Sequence, residues 1–297
     1  MVAIAKTKEN TVVLKITYHC PTLTRPADKS RIQTPADKAL LTAQKQIIGT
    51  CREYMAIGNA RYRLGDWLTK RTLPSPFGWG TFLVPISMIE EVGEKVSEMA
   101  KEYKAAGAAF AQVYPEQIEL VKERLADQFN PRNYPSPKYM ADGIWIEWWF
   151  FDFEIPSKEK VGAELWEQEK SRVERTWEGA VDDIQAALRE SFLGLVRTLS
   201  DRLEPAADSS RKAFRGGPAL KKTLEFLDIF QRRNIVDDVE LAKLVEQAKD
   251  ILQGKSVEDI RSSSLVCEKL YTEMRSVTTS IATLIETSPS RSITFED

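Results

Sequence analysis

The chain has 297 residues, of which 42% are apolar and 29% charged, and its formal net charge is −2. That length can bury the core of one large or two small domains, and the near-balanced charge sets up no global field to draw in nucleic acid or an anionic membrane. No apolar run reaches bilayer-spanning length, Met1 to Lys8 has no signal-like apolar stretch, and the scattered Cys20, Cys51 and Cys267 fit reduced thiols in a cytoplasm.

Thr11 to Tyr18 is β-branched and predicts a strand. Pro21 to Gln33 reads as a polar loop. Thr34-Pro-Ala-Asp37 has the residues of a helix start, with Thr34 as N-cap and Pro35 at the first helical position, so a helix is expected to run to about Thr69. Arg71 to Pro85 alternates Pro and Gly with Phe77, Trp79 and Phe82, which predicts a loop packed down by its aromatic rings.

From Ile89, apolar or small residues recur at Val92, Val96, Met99, Tyr103, Ala106, Phe110 and Val113 in alternating steps of three and four. This is a heptad seam, which favours coiled-coil pairing. Pro115 is expected to end or kink the helix. A second piece carries Ile118, Val121, Leu125 and Phe129 and is stopped by Asn130 to Pro137.

Gly143 to Pro156 holds three tryptophans and three phenylalanines and no basic residue. In a strand, Trp145, Glu147, Trp149, Phe151 and Phe153 share one face, and Ile144, Ile146, Trp148, Phe150, Asp152 and Glu154 share the other. Both faces are apolar over most of the run. It is therefore expected to be the covered centre of a small sheet, paired with Thr11 to Tyr18, with Trp148 and Trp149 both largely buried. A face left open across several rings would instead mark a partner site.

A long helix is expected from Ser157, with a stripe at Trp166, Val173, Trp177, Val181, Ile184, Leu188, Phe192, Leu195, Leu199 and Leu203. Its eleven-residue repeat, from Val173, gives a nearly straight seam or a slight right-handed supercoil, in a helix of roughly 70 Å, and such a rod needs a partner. Pro205 ends it. Shorter helices are expected over 219–232, 238–253 and 257–286, with Gly254 as a cap and Ser256 and Asp259 as an N-terminal box. The tail from Ser288 to Asp297 is polar except for Ile293 and Phe295, and is expected to be a disordered tail or one more edge strand. The fold class is mainly α with a small antiparallel β-sheet, as a long helical coiled-coil hairpin plus a C-terminal helical bundle. Residues 1–204 form one domain, 205–218 a linker, 219–287 a helical region and 288–297 a tail.

Catalytic chemistry has little to build on. The one histidine, His19, ends a strand, and no nucleophile-elbow motif is present. The cysteines lack paired metal-ligand spacing, and no phosphate-cradling glycine motif occurs. No catalytic residue, metal site or cofactor is expected. Arg211, Lys212, Arg215, Lys221 and Lys222 flank a Gly-Gly turn and are the candidates for a phosphate or nucleic-acid contact. Base stacking on the aromatic run is disfavoured, because it carries acids where a nucleic-acid binder interleaves basic residues. Trp145, Trp148, Trp149 and Trp79 are the candidates for a partner contact.

The order of elements resembles an uncharacterised family carried by bacteriophages, plasmids and bacterial chromosomes, known as domain of unknown function 3150. The likeness rests on the early strand and helix leading into Phe82-Leu-Val-Pro85, and on Phe129-Asn-Pro-Arg-Asn-Tyr-Pro135 before the strand ending Glu154-Ile-Pro156. It also rests on Phe214-Arg215 ahead of Leu224 to Phe230 and Asp238 to Val245. The aromatic run is richer than the family's usual pattern.

The resemblance implies a neighbour of MoxR-type AAA ATPases and von Willebrand A-domain proteins, which act as remodelling or metal-insertion machines. A non-enzymatic helical adaptor or substrate of such a machine in the cytoplasm of a bacterial host, itself forming homo-oligomers, is the leading expectation. A phage structural or assembly protein building a ring, tube or filament is the alternative. A nucleic-acid binder acting through Arg211 to Lys222 follows, and a hydrolase using His19 stands last.

Overall fold

The computed structural model describes residues 2–204, 214 and 216–287. In chain order the helices and strands are α1 (Val2–Glu9), β1 (Thr11–His19), β2 (Thr24–Pro26), β3 (Gln44–Gln46), α2 (Arg52–Arg71), β4 (Leu73–Pro74), β5 (Thr81–Pro85), α3 (Ile89–Leu125), α4 (Pro137–Asp142), β6 (Trp145–Phe151), α5 (Lys158–Val161), α6 (Ala163–Leu203), α7 (Gly217–Arg233), α8 (Val239–Leu252), α9 (Val257–Ser262) and α10 (Ser264–Glu286). The protein is mainly α with a small antiparallel sheet, as expected. The sheet order is β4-β5-β1-β6, and β2 and β3 form a separate two-stranded ribbon.

The chain divides into two compact units interleaved in sequence. The first comprises residues 1–13, 70–89 and 151–297, and the second comprises 14–69 and 90–150. The four divisions fall inside β1, near the end of α2, at the start of α3 and inside β6, so the chain passes between units four times. Helix α6 groups with α7 to α10, whereas the sequence reading placed it with everything from residue 1 to 204. The expected tail, and most of the expected linker, lie outside the described residues.

In the first unit α6 is the central element and α10, α7 and α1 pack against it. At 41 residues it spans about 60 Å. It buries Val173, Trp177, Ala180, Ile184, Leu188, Phe192, Val196, Leu199 and Leu203, each such side chain contributing about 1.5–3 kcal/mol on removal from water. Ala180 and Val196 take the places expected of Val181 and Leu195, a drift of one residue that lets α7 and α10 share the stripe. Phe192 stacks on Phe226 of α7 with ring centroids 5.6 Å apart. The helix begins at Ala163 because Gly162, at φ 83°, breaks it from the short α5 that Ser157 precedes. The box at Ser256 and Asp259 forms as expected, and Gly254 adopts φ 67° after α8.

In the second unit one sheet face lies on α3. Ile144 reaches Gly107, where an added Cβ would lie 2.6 Å from its side chain, and Phe150 lies over Gly93. Tyr18 meets Tyr103 edge-on at 5.9 Å, and Tyr54 of α2 packs on Phe110 at 5.3 Å. The expected heptad stripe is buried at Val92, Val96, Met99, Tyr103 and Phe110. What it meets is strand residues and α2, which accounts for the seam without a coiled-coil partner.

Two expectations are corrected here. Helix α3 does not end at Pro115, one of the two outcomes expected there, but continues to Leu125, because Phe110, Tyr114 and Val121 are buried on either side and their packing outweighs one lost backbone hydrogen bond. The expected helix at Pro35 does not form, and α2 begins at Arg52. Asp37 caps only a single 3₁₀ turn, Leu40 is exposed, and Gln44–Gln46 is drawn into the ribbon with Thr24–Pro26. The segment has a start signal but no apolar stripe to bury.

Candidate functional site

The aromatic run forms β6, pairs in the sheet beside β1 as expected, and lies at the edge of the sheet, not at its centre. Its two faces differ. Ile144 and Ile146 are buried and Trp148 and Phe150 are half-buried on the side that meets α3. On the other side Trp145 is 37% exposed and Trp149 44% exposed, with Glu147 half-buried between them. The expectation that Trp148 and Trp149 are both largely buried is therefore corrected. The second face is open at Trp145 and Trp149, whereas its continuation packs down, Phe151 against the first unit's core and Phe153 on Phe77 with ring centroids 4.4 Å apart.

His19 completes this surface from β1. Its imidazole lies flat on the Trp145 indole, centroids 3.9 Å apart and planes 6° apart. Its Nε2 is 3.5 Å from Glu147 Oε2, within ion-pair range but too long for a good hydrogen bond. The Tyr103 hydroxyl donates to the His19 carbonyl at 3.3 Å. Lys15 and Thr17, which alternate with the buried Leu14 and Ile16 along β1, stand on the His19 side of that strand. Stacking on an aromatic plane gives His19 a positioning role for Trp145.

Cys20 follows His19, and its thiol donates to the Pro21 carbonyl at 3.8 Å. Burial pushes the Cys20 thiol pKa up, against smaller opposing effects of Tyr103 and Arg61. Burial likewise raises Tyr103, and it pushes Tyr114 up to about 12.

Trp79 is 97% exposed, in the first unit, in the turn that joins β4 to β5. Gly78 at φ 88° and Gly80 at φ 72° flank it, left-handed positions that a side chain would strain. Lys221 and Lys222 are exposed near the start of α7, where Lys221 lies 3.9 Å from Glu225, one turn on. Arg211, Lys212 and Arg215 lie outside the described residues. The described part of this cluster is a solvated helix face with its own acid.

The sequence reading missed the buried charges of the first unit. Arg189 of α6 is 6% exposed and Asp238 is 4% exposed. Arg189 Nε and Nη2 donate to the two Asp238 carboxylate oxygens at 2.6 and 3.1 Å. Asp238 also caps α8 by accepting from the Leu241 amide at 3.0 Å. Burial pushes the Asp238 carboxyl up, but Arg189 and the Leu241 amide together outweigh it and hold the pKa below the ordinary value. Arg233 is also buried, donates to the Thr72 carbonyl, and is drawn down to about 10 by burial and then by Arg71. The signal available in the sequence was a lone arginine beside Leu188 on an apolar stripe.

Among the described residues, no group of three or more His, Cys, Asp or Glu could hold a metal ion, and no helix is long and apolar enough to cross a membrane. Comparison with protein-family models, with curated proteins and with solved structures finds no match to this chain.

Proposed function

We propose that this chain is an interaction protein that binds a protein partner through the outward face of β6. The observation that carries this reading is the pair Trp145 and Trp149, each more than a third open to solvent on one side of an edge strand. Folding alone gains little from leaving two indoles wet, whereas tryptophan is the residue most enriched where binding energy concentrates. The resemblance to domain of unknown function 3150 suggests the partner: a MoxR-type AAA ATPase of a bacterial cytoplasm, with this chain as adaptor or substrate.

The test is the solution mass of the purified chain, alone and with the purified ATPase. A complex is expected with the native chain and not with Trp145→Ala/Trp149→Ala, whose circular dichroism should match the native spectrum. A complex that survives the double substitution would remove the β6 face from the interaction. A homo-oligomeric assembly role instead predicts a defined multiple of the chain mass with no ATPase present.

A further inference from the structure

Resting on the partner-binding reading of β6, we infer that the occupant is an extended basic segment that adds to the free edge of β6 as a fifth strand. The first ground is the backbone. The sheet ends at β6, so every second residue there turns its N–H and C=O away from β1, toward a side where no described strand pairs with it. Edges of this kind are normally blunted by lysine, proline, a bulge or shortness. β6 runs seven residues, Trp-Ile-Glu-Trp-Trp-Phe-Phe, with no lysine and no proline. At about 3.4 Å per residue it offers a template of roughly 24 Å, enough for six or seven residues of an incoming strand.

The second ground is charge and ring chemistry. Trp145, Glu147 and Trp149 stand in one row on the open face, successive members about 7 Å apart. An incoming strand places alternate side chains beside that row at the same period. A guanidinium or ammonium there meets an indole face on either side and a carboxylate between them. An acidic strand meets Glu147 and gains nothing from the rings. No lysine or arginine lies between Gly143 and Pro156 to repel a cationic segment. The cation of this face, Lys15, belongs to β1, on the opposite side of β6 from the incoming strand. His19 stacks on Trp145 and holds that ring in place.

The probes are four fluorescein-labelled heptapeptides titrated into the full chain and followed by anisotropy: one alternating arginine with valine, one alternating glutamate with valine, and two versions of the arginine peptide N-methylated on alternate amides, one in each phase. The arginine peptide is expected to saturate and the glutamate peptide not to bind. N-methylation in the phase that faces β6 should weaken binding about tenfold by deleting ladder hydrogen bonds. Trp149→Ala and Glu147→Gln should each weaken it about fivefold. Equal binding of both charge types, or indifference to N-methylation in both phases, overturns the inference. If the arginine peptide fails while ATPase capture still depends on Trp145 and Trp149, strand addition is wrong and the partner reading stands. If capture is also indifferent to those residues, both fall. A concentration-dependent doubling of mass abolished by Trp149→Ala would put a second copy on this edge and also overturn the basic-peptide assignment.

Discussion

The His19 ring and the Trp145 ring are parallel within 6° at 3.9 Å, so the chain's one histidine supports a tryptophan that is itself partly open to solvent. His19→Ala is expected to lower stability by about 0.5–1.5 kcal/mol, the range for an aromatic pair. His19→Phe keeps a ring at that position and should lose less. Urea unfolding followed by circular dichroism compares the two. Glu147 is half exposed, and its pairing with His19 is worth little by itself, so Glu147→Gln should change stability by less than about 0.5 kcal/mol.

Gly107→Ala is expected to destabilise by about 1–3 kcal/mol, because the new methyl group would overlap the buried Ile144 side chain and push β6 from α3. Gly58→Ala in α2 serves as the control. Nothing lies within 4 Å of a side chain there, so relief of glycine's backbone entropy should stabilise by about 0.5–1 kcal/mol. Denaturant midpoints of the two variants should move in opposite directions.

Breaking the Arg189–Asp238 pair on one side removes the main partner of a buried charge, with Glu240, 3.9 Å from Arg189, remaining as a weaker one. Asp238→Asn and Arg189→Met are each expected to cost about 3–5 kcal/mol, and the double replacement less than the sum. The pH dependence follows in sign. The folded carboxyl titrates below its ordinary value, so its contribution is complete above that value and is lost as acid carries the pH down through the folded pKa. A melting series through the acid range should show a steeper loss in the native chain than in Asp238→Asn.

Iodide quenching sorts the tryptophans. Trp79, Trp145 and Trp149 should be accessible, and Trp177, 3% exposed in the core of the first unit, should be protected. Trp79→Ala and Trp149→Ala should each remove a quenchable fraction of the emission; the first should shift stability by no more than about 0.5 kcal/mol, and the second, which uncovers a half-buried ring, should cost about 1–3 kcal/mol. Binding of the partner or of the arginine peptide should protect Trp149 specifically.

Much of the fold could be read from local pattern. The β1 strand, the stripes of α3 and α6 and the box at Ser256 depend on neighbours a few residues away. The failures share a different cause. Thr34 and Pro35 start a helix only if an apolar stripe follows, and Ile47 and Ile48 are buried outside helix, beside the ribbon strand β3. Pro115 ends a helix only if the flanking packing is weak, and Phe110 and Tyr114 are fully buried. The aromatic run is apolar on both faces, but whether a second layer covers it depends on segments remote in sequence. Trp149 thus reads as core by composition and stands half open by topology. Arg189 was hidden in the same way, since its partner lies 49 residues downstream.

The interleaving of the two units bears on the order in which they can be completed during synthesis. Neither unit is a continuous stretch, and the first draws α6 to α10 from the far side of everything the second contributes. Residues 14–69 and 90–150 have all emerged from the ribosome while most of the first unit's core is still unmade. The second unit can therefore condense early, at a synthesis rate of about 5–20 residues per second. The first must wait, leaving α1 and the β4–β5 hairpin without the helix that covers them. During that interval an aromatic strand edge is exposed on a nascent chain, where polysome neighbours present the same edge. Exchange of β6 between adjacent chains is the misassembly this architecture has to avoid.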